Sequence, residues 1–151
     1  MGTITHCITQ LENKKVYLGT NVFIYFFDQH PIYFPVVAPL FLAIEVGNFS
    51  GVTGNVTIAE VLVKPYQIGN QSLVEHIKMF FNTANFLSIS PHTAEIFDVT
   101  AQLRAAYKYK FIDALHLATA IQTNCHYFIT NDKGITANPN ISILYLSDLK
   151  Q

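Results

Sequence analysis

The chain reads as an α/β domain built around a parallel sheet. Three observations predict this. Short β-branched and aromatic runs, among them Val16-Tyr17-Leu18, Phe86 to Ile89 and Tyr127 to Thr130, alternate along the chain with longer helical segments. Strands that alternate with helices in this way imply a parallel sheet covered on both faces, and Val16-Tyr17-Leu18 has the β-branched and aromatic character of a buried strand. The length of 151 residues suits one domain, and no internal repeat or low-complexity tract interrupts it.

The elements follow in order. Residues 1–15 are polar and read as a partly loose N-terminal extension, with a single domain over 16–151. Val16 to Leu18 is the first buried strand, punctuated by Gly19-Thr20-Asn21. Val22 to Phe27 is apolar throughout and predicts a buried helix that ends before Pro31. Pro35 to Val46 predicts a second helix, opened by proline and closed by Gly47-Asn48. Val52 to Val56 is a weak strand. Thr57-Ile58-Ala59-Glu60 fits a capping box, so a helix is expected from there to about Pro65. Ser72-Leu73-Val74-Glu75 repeats the pattern and predicts a helix to about Asn82. After the strand Phe86 to Ile89, Ser90-Pro91 opens a long helix with Ile96, Phe97, Leu103 and Ala106 as its apolar positions. A further helix spans about Ile112 to Thr123, and Tyr127 to Thr130 and Ile143 to Leu146 are the last strands. Crossovers between parallel strands are expected to be right-handed.

Composition narrows the function. Half the residues are hydrophobic and 13% are charged, against about 25% charged in an ordinary soluble domain. Intrinsic disorder is excluded, and apolar surface is left over that an oligomer interface would use. Nine Lys and Arg against ten Asp and Glu give a net charge of -1. A globally basic nucleic-acid or membrane binder is therefore excluded, but a local basic patch is not. The longest uncharged apolar stretch, Pro31 to Ile44, carries three prolines and falls short of the roughly 20 residues a membrane helix needs. Met1 to Gln10 has no basic segment ahead of an apolar one, so no signal peptide is expected. Cys7 and Cys125 are far apart with no CxxC, which suits a reducing, cytoplasmic setting.

Among the ten acids, three stand out. Glu60, Asp113 and Asp132 each follow a strand or sit near the start of a helix. In a parallel α/β sheet those places share one edge, the edge where such folds bind ligands. Each acid also has an ordinary use: Glu60 as the third residue of a capping box, Asp113 as a first-turn acid answering the helix dipole, Asp132 as part of a turn. Convergence of the three would carry a cost. Two like charges about 4 Å apart repel by about 4 kcal/mol at an effective dielectric near 20, so a cation or a partner's arginine is expected among them. All-oxygen donors favour Mg²⁺ or Mn²⁺ over zinc, and such an ion suits phosphoryl chemistry.

At these residues the sequence resembles the PIN-domain family, in particular its VapC-like ribonuclease toxins of type II toxin–antitoxin pairs. Val16 to Tyr25 resembles the opening strand and Asp-Thr-Asn motif, Thr57 to Pro65 the second motif with its Glu, Asp113 to Ala120 the third with its Asp, and Phe128 to Asp132 the fourth with its last Asp. The resemblance implies a three-layer α/β/α fold with a central sheet of four or five parallel strands. It implies Mg²⁺- or Mn²⁺-dependent endonucleolytic cleavage of RNA to a 5′-phosphate and a 3′-hydroxyl, with Glu60, Asp113 and Asp132 as metal-binding and catalytic acids. It also implies a dimer and an antitoxin whose tail enters the acidic pocket. One departure matters: Gly19 stands where the family carries its first Asp. Glycine offers no ligand, so the chain is expected to be catalytically impaired. The second reading is a non-catalytic PIN-like module that holds RNA or an antitoxin.

Asn21 and Thr130 are the expected supporting residues, with helix capping and ordinary strand packing as their alternatives. His116, three residues after Asp113, reads as a packed, hydrogen-bonded histidine. Arg104, Lys108 and Lys110 form a candidate RNA-binding patch that Lys64 and Lys133 could extend, and the interleaved Tyr107 and Tyr109 could stack on bases. Cys125-His126 lacks a second zinc half-site. Gly51-Val52-Thr53-Gly54 is not a phosphate loop, and GxGxxG and GxxxxGK[ST] are absent.

Overall fold

A computed structural model describes residues 3–150. Five parallel strands form one sheet: β1 (Lys15–Leu18), β2 (Ser50–Gly54), β3 (Leu87–Ser90), β4 (Tyr127–Thr130) and β5 (Ser142–Tyr145), in the spatial order β3-β2-β1-β4-β5. β1 is central. It pairs with β2 through Tyr17 opposite Val52 and with β4 through Tyr17 opposite Phe128. The chain builds outward from β1 to β3, then returns to lay β4 on the other side. The carboxyl ends of β1 and β4 thus meet at the topological switch point, where α/β sheets open a crevice.

Seven helices cover the sheet: α1 (Ile4–Leu11), α2 (Thr20–Phe27), α3 (Phe34–Glu45), α4 (Asn55–Gln67), α5 (Gln71–Thr83), α6 (Ala94–Ala106) and α7 (Phe111–Gln122). Two apolar cores result, one on each face. Val16, Leu18 and Ile129 point to the core that holds Phe23, Leu40 and Ile77. Tyr17 and Phe128 point to the core that holds Ile96, Leu103 and Leu117. This is the two-residue strand period, with apolar side chains on both faces. Cys7 lies in the first core and Cys125 in the second, so the sheet separates the two free thiols. Burial pushes both up, Cys7 to about 11. No described helix is long and apolar enough to cross a membrane.

Several boundaries differ from expectation. Much of the expected partly loose extension is α1. Thr3 accepts from the His6 N–H at its N-terminus, and Ile4, Cys7 and Leu11 are buried. The Thr57 capping box is not used: α4 already begins at Asn55, and Thr57 is a buried interior residue hydrogen-bonded to Thr53. α4 also runs past Pro65 to Gln67, because a proline this close to the C-terminal end removes only one late helical bond. Asn70, ahead of Ser72, caps α5 by accepting from Leu73 N–H at 3.1 Å. Thr93 caps α6 in the same way through Ile96, so that helix starts after Ser90-Pro91. β5 begins one residue before Ile143 and gives way to a short 3-10 turn at Leu146–Asp148.

Packing decides where substitutions hurt. Phe23 is fully buried, with the rings of Phe41 and Phe81 each 5.3 Å away by centroid. Phe23→Ala should lower unfolding free energy by about 3–5 kcal/mol in urea titration. Met79→Ala, at a side chain 65% exposed, should stay within about 0.5 kcal/mol.

Candidate active site

The edge predicted from the sequence carries a cavity. Gly19, Thr20 and Asn21 enter it from the end of β1, Thr130 and Asp132 from the end of β4, Glu60 from α4, and Asp113 and His116 from α7. All three singled-out acids therefore line one space beside Gly19. Their environments differ.

Asp113 and Asp132 form a pair around Gly134. A Cβ built on Gly134 would lie 3.1 Å from Asp113 Oδ2 and 3.1 Å from Asp132 Oδ1, so the absence of a side chain leaves that space to the carboxylates. Asp113 is 8% exposed. Burial, and then the charge and hydrogen bonding of Asp132, push its carboxyl up to about 6, while His116 and Lys110 act weakly the other way. Asp132 sits in a turn closed by its own Oδ1, which accepts from Gly134 N–H at 2.8 Å. Thr130 and Asn21 support that turn. Thr130 Oγ1 accepts from Asp132 N–H at 3.0 Å and donates to Asn21 Oδ1 at 3.3 Å, and Asn21 Oδ1 also accepts from Asn131 N–H. Asn21 thus braces the loop that carries Asp132 and leaves the N-cap of α2 to Gly19.

Glu60 stands on the opposite wall. Its Oε1 accepts from Thr20 Oγ1 at 2.6 Å and from His116 Nε2 at 2.7 Å. Burial works against its ionisation, but the hydrogen bonds from His116 and Thr20 prevail and hold it below the usual carboxylate range. His116 is itself buried, and its Nδ1 lies 2.7 Å from Tyr17 Oη. The network assigns the tautomer. Tyr17 Oη accepts from Gly54 N–H at 3.1 Å and donates to His116 Nδ1, leaving Nε2–H for Glu60. His116 is therefore packed and hydrogen-bonded, and it also orients a cavity acid. Tyr17 and Thr20 belong to this network too. Thr20 lies in the Gly19-Thr20-Asn21 stretch of the opening motif, whereas Tyr17, in the strand before it, is indistinguishable from any strand aromatic in the sequence.

The donors fit a hard cation in part. Asp113 and Asp132 offer oxygen only, and their mutual repulsion is of the kind a divalent ion relieves. Mg²⁺ is commonly held by one or two carboxylates with water completing the shell. Among the described residues, however, no three His, Cys, Asp or Glu side chains gather closely enough to enclose an ion on their own. Glu60 is engaged with His116, and Gly19 contributes nothing. A Cβ at Gly19 would meet Ile129 O at 3.0 Å and Thr130 Oγ1 at 3.4 Å, so any side chain there requires a small shift of β4.

The basic residues divide. Lys108 and Lys110 are exposed, and Lys110, the N-cap of α7, is close enough for its charge to act on Asp113. Arg104 Nε is turned to Tyr109 O at 3.4 Å. Lys133 lies over the Tyr145 ring at 3.9 Å and donates to Ser147 Oγ. Lys64 lines a separate apolar groove. Tyr109 is not available for stacking. It is buried, donates to Thr136 O and accepts from Asn138 Nδ2, so the expectation of a base contact there is corrected.

Comparison with known proteins agrees with this architecture. No curated protein sequence matches the chain. Among solved structures, a toxin-antitoxin complex from Klebsiella pneumoniae aligns with TM-score 0.67 at 21% identity, over 87% of this chain and 97% of that one. VapBC2 from Rickettsia felis, bound to a DNA fragment from its promoter, aligns with TM-score 0.64 at 21% identity, over 87% and 98%. VapC20 from Mycobacterium tuberculosis, a Sarcin-Ricin loop cleaving toxin, aligns with TM-score 0.61 at 10% identity, over 75% and 86%. The family model described as PIN domain matches residues 16–140, from β1 to the loop before β5. With that match over most of its length, the chain belongs to the PIN domain family.

Proposed function

We propose that this chain is a toxin-type PIN endoribonuclease, active in the cytoplasm, whose metal site is weakened at Gly19 and whose activity an antitoxin protein restrains. The observation that carries the reading is the Asp113–Asp132 pair at the switch-point edge, beside a glycine where a third carboxylate would complete the set. Asp113 and Asp132 are the residues that would hold Mg²⁺ or Mn²⁺. When bound, such an ion polarises the scissile phosphate and lowers the pKa of a water. Glu60 is pinned through Oε1 by Thr20 and His116, so its carboxylate is fixed at the cavity. Lys108 and Lys110 meet the RNA backbone at the rim.

The partner reading rests on an apolar groove lined by Ile24, Phe27, Val61, Pro65, Leu73 and Ile77. Ile24 and Glu60 line this groove and the acidic cavity alike, so the two are continuous. An antitoxin segment with apolar anchors and a basic tail matches that sequence of surfaces. Exposed Val63, Tyr66, Ile68 and Met79 on and beside α4 and α5 supply further apolar area for it or for a homodimer. A second reading, a non-cleaving module that binds RNA or antitoxin, is favoured by Gly19 alone.

Three measurements test the proposal. Gly19→Asp should bind Mn²⁺ at least ~10-fold more tightly than Gly19→Ala, the alanine variant correcting for the Cβ contact with Ile129 O, and should cleave RNA faster than the parent. If folded Gly19→Asp gains neither, the impaired-nuclease reading fails, and RNA or antitoxin binding without cleavage then supports the module.

The second concerns pH. Because the folded pKa of Asp113 is raised from 3.8 to about 6, the folded state holds that proton more tightly than the unfolded state. This contribution to stability is full below pH 3.8 and is lost as pH rises to about 6. Asp113→Asn should remove this slope and gain on the order of 1–2 kcal/mol at pH 7.5, allowing for screening at the cavity mouth. Mn²⁺ should raise the Tm of the parent and not of Asp113→Asn.

The third concerns salt. Lys108→Gln with Lys110→Gln should flatten the dependence of log K for single-stranded RNA on log salt by about 0.7 per lost contact, and an unchanged slope removes them from the interface.

A further inference from the structure

Behind the cavity, a second histidine joins the helices that carry its acids. His92, in the loop between β3 and α6, places Nε2 3.0 Å from Val56 N and Nδ1 3.1 Å from Thr119 Oγ1. Val56 is the second residue of α4, the helix of Glu60, and Thr119 lies in α7, the helix of Asp113. The start of α4 needs such an acceptor. Its N-cap is Gly54, which has no side chain to offer, and no acid stands in its first turn. Only an acceptor nitrogen satisfies Val56 N–H, so Nε2 is unprotonated and Nδ1–H donates to Thr119 Oγ1. That hydroxyl in turn donates to Leu115 O at 2.7 Å. A second observation shows the place is kept for the imidazole. A Cβ on Gly54 would come within 2.6 Å of His92 Cε1 and 3.0 Å of Tyr17 Oη.

We propose that His92 is a positioning residue: its neutral imidazole caps α4 and clamps it to α7, holding Glu60 in register with His116 and the Asp113–Asp132 pair. The clamp follows from these contacts alone; only its consequence for metal binding rests on the function proposed above. The imidazole meets Thr119 from α7 and Phe97 from α6, with His116 of α7 near enough to act on it electrostatically and the Tyr17 hydroxyl of β1 on the same side of Gly54. Among the described residues it has no carboxylate hydrogen-bond partner. Burial above all keeps its pKa below the ordinary histidine value. A second proton on the ring would set N–H against Val56 N–H and release the helix. With the folded pKa lowered, this contribution is full above pH 6.5 and is lost as pH falls below it.

The test compares two replacements. His92→Gln can present a non-titrating acceptor near the Nε2 position, whereas His92→Asn is too short to reach Val56. At pH 7.5 the Val56 amide should be protected from hydrogen exchange in the parent and in His92→Gln, and exchange at least ~10-fold faster in His92→Asn. As pH falls from 7.5 to 5.5, the protection factor should drop in the parent and hold in His92→Gln. Long-range ¹H–¹⁵N spectra should show His92 as the Nδ1–H tautomer. Gly54→Ala, which displaces the imidazole with His92 unchanged, should reproduce the His92→Asn loss, and the double variant should lose no more than either single one. Mn²⁺ affinity at pH 7.5 should fall several-fold in His92→Asn and recover in His92→Gln. Equal Val56 protection in parent and His92→Asn, or equal losses in Gln and Asn variants, overturns the clamp. If no variant binds Mn²⁺, the metal reading fails, and exchange and tautomer decide the clamp.

Discussion

A phenol in the middle of a sheet has to find hydrogen-bond partners, and the partners Tyr17 finds organise everything around the cavity. The side chain is fully buried between the strand neighbours Val52 and Phe128, and burial keeps the hydroxyl protonated. An unpaired hydroxyl there would cost roughly 1–3 kcal/mol. It instead accepts from the backbone where β2 turns into α4 and donates to His116 on α7. The central strand is thereby tied by one oxygen atom to both helices that supply cavity acids. Glu60 is held because His116 is held, and His116 is held because Tyr17 leaves it one free nitrogen to donate from.

The cavity treats its carboxylates unequally. Glu60 is supported by donors and remains ionised below the usual range, whereas Asp113 meets burial and a like charge. One wall is settled and the other is under electrostatic tension that a cation would relieve. Gly19 lines the same cavity, with its open side against β4. This asymmetry sets the cavity apart from a cluster of surface acids, which water and salt would leave equivalent.

The sheet was legible because continuous apolar runs with β-branched and aromatic residues allow few other readings. Val16-Tyr17-Leu18 and Tyr127 to Thr130 lie where expected. Helix starts were less legible. Thr57-Ile58-Ala59-Glu60 satisfies a capping pattern, yet Thr57 is consumed by Thr53 and the real start lies at Asn55. A four-residue signal cannot register a tertiary competitor. α1 was missed although Ile4, Cys7, Ile8 and Leu11 have helical spacing, because intervening threonines and a histidine dilute the apolar signal. The acids of the cavity could be picked out because their motifs are local. The roles of Tyr17, Gly134 and His92 could not, because each is defined by a neighbour distant in sequence: His116, Asp113 and Val56 respectively.

The strand order carries a consequence for the life of the chain on the ribosome. The acidic edge lies between β1, near the beginning, and β4, whose strand is not finished until residue 130. A nascent chain can pair β1, β2 and β3 early, but the cavity lacks one wall until β4 docks and Asp132 swings in beside Asp113. Synthesis from the N-terminus therefore assembles the scaffold before the acidic cavity, and a chain interrupted earlier is born without it.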